Sequence, residues 1–385
     1  MLTNFDLTED QLAIRDTVRR FAREKVAPIA ADLDERAEFP VETMKELGEM
    51  GILGIGFPEE DGGSGFDTLS YVLAVEELSR IDGSHGITVA AHCSLGVWPI
   101  WAFGTPEQKA KWMPKICSGE CLSSFGLTEP EAGSDAGGTR TTAVLDGDEW
   151  VINGTKQFIT NATHAGVLVI TAKTDKTAKG SHGISAFLLN TDAPGFSLGK
   201  KENKLGLRAS DTRELIFEDC RLPKDALLGE ENRGFPIFMQ TLDGGRISIA
   251  ALALGIGQGA LDAAVPYAME RKQFGRPISS FEMIQAYLAE MQTEITAARH
   301  LTYHAARLKD AKRKFSMESA MAKYYASEAA MKATTLAIQI HGGYGYTKDY
   351  PVERYFRDAK LCEIGEGTTE IQKIVIARDL IKQFS

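Results

Sequence analysis

The chain has no stretch approaching the about 20 uninterrupted apolar residues that a helix needs to cross a bilayer, so no membrane span is expected. It also has no tandem repeat and no low-complexity tract that would serve as a linker. Positive charge is in short supply. The 43 Lys and Arg against 53 Asp and Glu leave a net charge of −10, which argues against DNA or RNA as partner because nucleic-acid affinity rests on a basic footprint. Cys93, Cys117, Cys121, Cys220 and Cys362 are scattered and odd in number, with only Cys117 and Cys121 spaced like a ligand pair, so reduced thiols are expected. The seven histidines include no His-Glu-x-x-His pair, and isolated residues such as His92 and His164 read as ordinary polar or core side chains. No metal is expected. Residues 4–11 are acidic and capped where a secretory or transit peptide would be basic and then apolar, which with the thiol pattern points to a cytoplasmic protein.

What is present is a globular composition, 43% apolar and 25% charged, in a chain of 385 residues, enough for two or three packed domains. The first third reads as helical. Thr8 and Gln11 form a capping box ahead of Leu12, Ile14, Val18 and Phe21, a similar stretch surrounds Pro28, and helices are expected over 41–50, 69–79 and 106–118, with a glycine-rich turn at 61–65. Residues 1–120 are expected to be an N-terminal helical domain. Between 121 and 230 the pattern changes to short β-rich runs. Asp146-Gly147 and Asn153-Gly154 read as hairpin turns flanking Trp150-Val151-Ile152, followed by Phe158-Ile159-Thr160. Further strands at 167–172, 184–189 and 215–218 make a middle β domain of sandwich or barrel type. In residues 231–385, Phe281, Ile284, Leu288, Met291, Ile295, Ala298, Leu301, Ala305 and Leu308 recur at three and four, one apolar stripe along a long helix. Comparable stretches at 236–271, 316–341 and 368–382 complete a C-terminal four-helix bundle. The fold class is mainly α with a central β domain.

Some short motifs mislead. Gly255, Gly257 and Gly259 imitate part of a dinucleotide fingerprint, but the run at 250–254 before them is helical where a strand is required, so close helix packing is the better reading. His341-Gly342-Gly343 has the look of a lipase oxyanion loop, yet no Gly-x-Ser-x-Gly elbow supplies a nucleophile.

Two longer segments are far more specific: Phe125-Gly126-Leu127-Thr128-Glu129-Pro130-Glu131-Ala132-Gly133-Ser134-Asp135-Ala136-Gly137-Gly138, and Gly342-Gly343-Tyr344-Gly345-Tyr346 with the later Gly365-Glu366-Gly367-Thr368. They resemble the signatures of the acyl-CoA dehydrogenase family. The resemblance continues through 204–212, Arg246 and 270–275 in family order, and it covers essentially the whole chain.

That resemblance implies FAD-dependent α,β-dehydrogenation of an acyl-CoA thioester to the trans-2-enoyl-CoA. A carboxylate removes the α-proton while the flavin N5 takes the β-hydride, and Glu366 occupies the family's base position. Partial burial would raise its pKa toward working pH, as a general base needs. Some relatives carry the base on the helix after Asp243; the matching residue here is Gly245, which cannot abstract a proton. The Glu366 backbone N–H and a flavin ribityl hydroxyl would bind the thioester carbonyl. Phe125, Leu127, Thr128 and Ser134 match the loop beside the isoalloxazine, and Phe158 and Thr160 match the opposite wall, with phenylalanine where tryptophan is usual. Arg271, Gln273, Phe274, Gln339, Gly342 and Gly343, with Thr368 and Glu370, match positions that reach the pyrophosphate and adenosine of FAD across a subunit interface. Ser134, Asp243, Arg246 and Gly367 match the acyl-CoA channel, although Arg246 reads equally well as a structural ion-pair partner. Taken singly, each has a plainer reading: Glu366 as a surface or capping residue, Phe158 and Phe274 as core, Arg271 as a solvated charge, the glycines as helix stops. Jointly those readings do not explain the pattern.

The implied partners are the acyl-CoA substrate, an electron-transfer flavoprotein, and further copies of the chain in a homotetramer built as a dimer of dimers. The nearest branch is the short-chain, butyryl-type one. Gly365 stands where many members have tyrosine, leaving room for a branched or cyclic acyl group, and the absence of Arg and Lys from 83–94 disfavours glutaryl-type substrates. Two alternatives weigh less. An acyl-CoA oxidase or monooxygenase of the same fold fits poorly with Glu366 and the short length, and a non-catalytic acyl-CoA-binding or assembly protein fits poorly with intact FAD segments.

Overall fold

Helices of the first third begin where a side chain can satisfy the free N–H groups of an opening turn. In the computed structural model, which describes residues 7–384, the Thr8 hydroxyl accepts from the Gln11 N–H at 3.2 Å and the Gln11 side chain accepts from the Thr8 N–H at 3.0 Å. The part of the acidic start before Leu7 lies outside the described residues. This cap opens α1 (Glu9–Phe21), and Thr105 with Gln108 repeats it at α7 (Pro106–Ser118). Between them lie α2 (Ala30–Arg36), α3 (Val41–Glu49), α4 (Thr68–Ser79), α5 (Gly83–Ala91) and α6 (Trp98–Phe103), with Asp67 and Asp82 capping α4 and α5.

The chain then forms β1 (Leu122–Gly126), β2 (Thr142–Asp146), β3 (Glu149–Thr160), β4 (Ala165–Lys173), β5 (Ile184–Asn190), β6 (Phe196–Lys201), β7 (Thr212–Pro223) and β8 (Leu227–Leu228). They make one connected sheet in the order β6-β7-β3-β2-β4-β5-β8, with β1 added parallel to β4. The sheet curls on itself: Trp150 of β3 meets Phe187 of β5 edge to face at 5.2 Å, over a core that includes Ile152, Leu189, Leu215 and Phe217. Asp146-Gly147 does begin the β2–β3 turn, but Asn153-Gly154 is not a turn. Gly154 lies inside β3 at a break in its register with β7, with φ +146°, and a Cβ there would meet the Thr141 side chain at 2.6 Å. The glycine marks a bulge and a close strand approach. β4 has an unbroken apolar run from Val167 to Ile170 because Leu168 and Ile170 face the β core while Val167 and Val169 face the helices.

The C-terminal helices are α8 (Gly234–Glu270), α9 (Glu282–Asp310), α10 (Ser316–His341), α11 (Val352–Ile364) and α12 (Thr369–Gln383), with a small hairpin, β9 (Lys272–Gln273) and β10 (Arg276–Pro277), after α8. α11 was not expected; its buried Val352, Tyr355, Ala359 and Cys362 are spread among charges that hide the stripe. Helix α8 is the axis of the molecule. By composition it and the Gly83–Phe103 segment are apolar enough to cross a membrane, contrary to the expectation from uninterrupted runs, but their apolar windows are 89% and 78% buried in the fold. The glycines of α8 do pack helices: a Cβ at Gly255 or Gly259 would stand 2.3 Å from the Glu76 or Arg80 carbonyl oxygen of the α4 segment.

Candidate active site

β1 leads into the glycine-rich loop and is anchored by a histidine. The Ser123 N–H donates to His92 Nδ1 at 3.0 Å, so the ring proton sits on Nε2 and donates to the Ile116 carbonyl at 3.0 Å. Burial pushes His92 down to about 4, which keeps it neutral and structural. Further along, the Ser124 hydroxyl donates to the Thr160 carbonyl at 2.6 Å, and Phe125 stacks on Phe238 of α8 at 4.1 Å. These contacts set the end of β1 beside the end of β3.

The loop after β1 is held by a buried ion pair that sequence reasoning missed. Lys156 of β3 is fully buried and donates to Glu129 Oε1 at 2.7 Å, to the Thr171 hydroxyl at 2.9 Å and to the Leu127 carbonyl at 3.3 Å. The Glu129 carboxylate also accepts from the Arg140 N–H at 2.6 Å and the Thr141 N–H at 3.1 Å, and the Thr128 carbonyl accepts from the Gln157 N–H at 2.8 Å. Burial pulls Lys156 down to about 8 against the attraction of Glu129; burial raises Glu129, but Lys156 and its hydrogen bonds outweigh this and hold it below its ordinary value. The available signal was a lysine on the inward register of a strand, in phase with Trp150 and Ile152. Leu127 and Thr128 are thereby fixed, while Ser134 further along is exposed.

Phe158 sits in the next break of β3 register with φ +60°, and its side chain is 61% exposed. An exposed aromatic in a left-handed conformation is unfavourable on two counts, which marks the spot as a surface made to be covered. Phe274 at +52° and Glu366 at +54° share that conformation, so three of the residues singled out from sequence are strained.

Glu366 lies in the turn between α11 and α12. Gln372 donates to the Glu366 carbonyl at 3.3 Å and to the Gly367 carbonyl at 2.8 Å, and Lys323 of α10 donates to the latter at 2.7 Å. The residue is half-buried, but its Oε2 is shielded from water and has no hydrogen-bond partner. Burial raises its pKa from 4.5 to about 7, against the pull of Lys323 and Arg246. A carboxylate so placed can take up a proton near neutrality. It rests on Gly245, where a Cβ would stand 2.0 Å from Oε2, so the two base positions compared in sequence converge on one point in space. The neighbouring Gly244 faces Lys309, whose Nζ would be 3.2 Å from a Cβ there. Arg246 donates to Asp243 at 2.5 Å and is only 6% exposed, so the structure gives it the ion-pair role. Burial pushes Asp243 up and Arg246 down.

The second group lies elsewhere. Arg271, Gln273, Gly342 and Gly343 line a hollow of about 530 Å3 with Tyr267 and His341, and the Arg271 guanidinium lies over the Tyr344 ring. A Cβ at Gly342 or Gly343 would meet nothing within 4 Å, so the backbone there is open to close approach. Phe274 is 92% exposed and Gln339 is exposed. Thr368 caps α12, accepting from the Ile371 N–H at 3.4 Å, and Glu370 is exposed on its first turn. Neither the hollow nor the exposed surface around Phe158 includes a metal cluster: no group of three potential ligands occurs among the described residues.

Family models match most of the chain: "Acyl-CoA dehydrogenase, N-terminal domain" over residues 8–120, the middle domain over 124–220 and the C-terminal domain over 232–381. The short-chain specific acyl-CoA dehydrogenase of Clostridium acetobutylicum is 51% identical over 379 residues, covering 98% of this chain and 100% of its own. Among solved structures, the butyryl-CoA dehydrogenase of Megasphaera elsdenii superposes with a TM-score of 0.96 at 46% identity, covering 98% and 100% of the two chains. A chain from work on the electron transferring flavoprotein of Acidaminococcus fermentans gives 0.97 at 53% identity, covering 99% and 100%.

Proposed function

Because the chain belongs to the FAD-dependent acyl-CoA dehydrogenase family, we propose that it dehydrogenates a short-chain acyl-CoA to the trans-2-enoyl-CoA and passes the electrons to an electron-transfer flavoprotein. The observation that carries this reading is the unpartnered Glu366 Oε2, shielded from water and held near neutral pKa. Glu366 takes the α-proton, and its backbone N–H orients the thioester carbonyl. FAD, when bound, accepts the β-hydride. The strained Phe158 and the fixed Phe125–Thr128 strand end are fitted to lie against the flavin ring, and Arg271, Gln273, Phe274, Gln339, Gly342, Gly343, Thr368 and Glu370 to hold its pyrophosphate and adenosine. Within one chain the hollow lined by Arg271, Gln273, Gly342 and Gly343 does not include Phe158 or the Phe125–Thr128 segment, which supports a site shared between subunits and hence a dimer of dimers. Ser134, Asp243, Arg246 and Gly367 border the acyl-CoA channel, Arg246 through its hold on Asp243. The association of a 53% identical chain with the electron transferring flavoprotein of Acidaminococcus fermentans supports the electron-transfer partner. The unpaired cysteines support a reducing, cytoplasmic location.

A turnover screen of acyl-CoA thioesters with a ferricenium-type acceptor, alongside an oxygen-only control, tests the reaction. We expect butyryl-length thioesters to reduce the acceptor and oxygen alone to support little turnover; oxygen serving equally well would make the protein an oxidase.

Gly365 bears on the acyl group. Its φ is an ordinary −67°, and a Cβ would meet only Leu361, at 3.5 Å or more, so a side chain is tolerated there. Gly365→Tyr is expected to lower kcat/KM for a branched or cyclic thioester relative to butyryl-CoA by about 10–200-fold, the worth of one to three methylenes in an apolar pocket. An unchanged ratio removes the wide-pocket reading.

A further inference from the structure

Lys323 is a buried cation without a counter-ion. Its side chain is fully buried on α10, and among the described residues no carboxylate comes within ion-pair distance of it. Its hydrogen bond runs to the Gly367 carbonyl at 2.7 Å, yet Gln372 already donates to that carbonyl at 2.8 Å and to the Glu366 carbonyl as well. The turn therefore has a neutral anchor, and the charge on Lys323 needs a separate reason, because an unpaired buried ammonium is costly.

That reason lies on the other side of the turn. The groups that face Glu366 come from three elements: Arg246 on α8, Lys323 on α10 and Tyr71 on α4. Tyr71 donates to the Ala90 carbonyl at 2.8 Å and carries no charge, since burial raises its pKa well above the ordinary value. Arg246 is committed to Asp243 at 2.5 Å, which also accepts from Ser316 and lies in the field of Asp379. Around Lys323 itself, Cys362 and Glu363 of α11 add their fields; burial keeps the Cys362 thiol protonated, at about 12. Burial also draws Lys323 down to about 8, which leaves it cationic at neutral pH. Of the two cations that face the carboxylate, Arg246 is paired with Asp243, although its Nε has no hydrogen-bond partner, and Lys323 is the one with no carboxylate in ion-pair contact among the described residues.

We propose that Lys323 is a positioning residue for the base, placing a fixed positive charge behind the Glu366–Gly367 turn so that the Glu366 carboxylate can ionise inside the closed site. This rests on Glu366 acting as the base. In the step it serves, the proton passes from the thioester Cα to Glu366, the C–H electron pair becomes the new double bond, and the hydride leaves Cβ for the bound FAD. Lys323 keeps its protons throughout.

The test is rapid-mixing flavin reduction by butyryl-CoA across pH in the parent holoenzyme, Lys323→Met and Lys323→Arg. Lys323→Met should retain FAD and a similar KM, while the midpoint of the rate profile moves upward by about one pH unit or more. Its rate should fall about fivefold or more at neutral pH and converge on the parent at high pH. Lys323→Arg should keep the parent's midpoint. A loss of equal size at every pH, or one that arginine does not restore, would mean that Lys323 only props the turn, and overturns the inference. Should Lys323→Met fail to hold flavin, the reciprocal measurement decides: in Glu366→Gln the ammonium of Lys323, followed by NMR, should titrate at lower pH than in the parent, because coupling between two groups is mutual. An unmoved Lys323 overturns the proposal. Failure of the base assignment looks different, for Glu366→Gln would then reduce flavin as fast as the parent.

Discussion

Replacing Glu366 by glutamine is expected to leave a yellow protein that still binds acyl-CoA but whose flavin is reduced by it about 10²–10⁴-fold more slowly, the usual contribution of a positioned base. The loss should approach the upper end because Oε2 is shielded from water, so no solvent molecule stands ready to replace it. In the parent, reduction should rise with pH through about 7 as Glu366 ionises. Stability runs the other way. The folded state holds this proton more tightly than the unfolded chain, so between pH 4.5 and about 7 stability falls as pH rises, and above that the cost is constant at roughly 3 kcal/mol. Glu366→Gln, which cannot ionise, should therefore melt higher than the parent at pH 8 and similarly at pH 4. Rapid-mixing absorbance and thermal melts at the two pH values check both halves. Parent-like flavin reduction in the mutant would place the base on another residue.

Gly245→Ala is the second large effect expected, and it comes from a single methyl group. The added Cβ would stand 2.0 Å from Glu366 Oε2 and 2.9 Å from Leu95 Cδ2, so something must move. What can move is the carboxylate, at the end of a flexible side chain, while the backbone of α8 is locked against α4 through Gly255 and Gly259. A displacement of about 1 Å at a reacting group costs on the order of 10²-fold in rate. We expect kcat for butyryl-CoA to fall by about that factor with FAD content unchanged. Full activity would show that the site tolerates Glu366 in another rotamer, and that the glycine is not what seats it.

The sequence revealed the large elements through local signals, the Thr8 cap and the α9 stripe, and the turn that carries Glu366 through its resemblance to the family signature. It did not reveal residues whose roles depend on distant partners. Lys156 and Glu129 are 27 positions apart and meet only when the loop after β1 folds back over β3, and His92 and Ser123 are 31 apart and meet only once β1 is placed on the helices. Lys323 and Gly367 are separated by 44 positions. Asn153-Gly154 was misread for the same reason. Its composition is that of a turn, but in the fold Gly154 lies opposite a bulge of β7 and close against Thr141, which only distant partners decide. α11 was overlooked because its buried side alternates with Arg354, Arg357, Asp358 and Lys360, several of which are consumed by contacts with other parts of the fold.

Phe238, which stacks on the strand end leading to the flavin loop, and Gly245, which seats the Glu366 carboxylate, belong to the same uninterrupted helix. Seven residues separate them, about 10.5 Å along the axis and two turns, so they stand on nearly the same side of the rod. α8 therefore works as a ruler that sets the spacing between the strand end proposed to lie against the flavin and the proposed base. Its gauge is counted in residues. Substitutions that keep the count leave the spacing intact whatever they do to packing, whereas one residue added or removed between 238 and 245 would turn one end by about 100° relative to the other and send the two half-reactions to different faces of the helix.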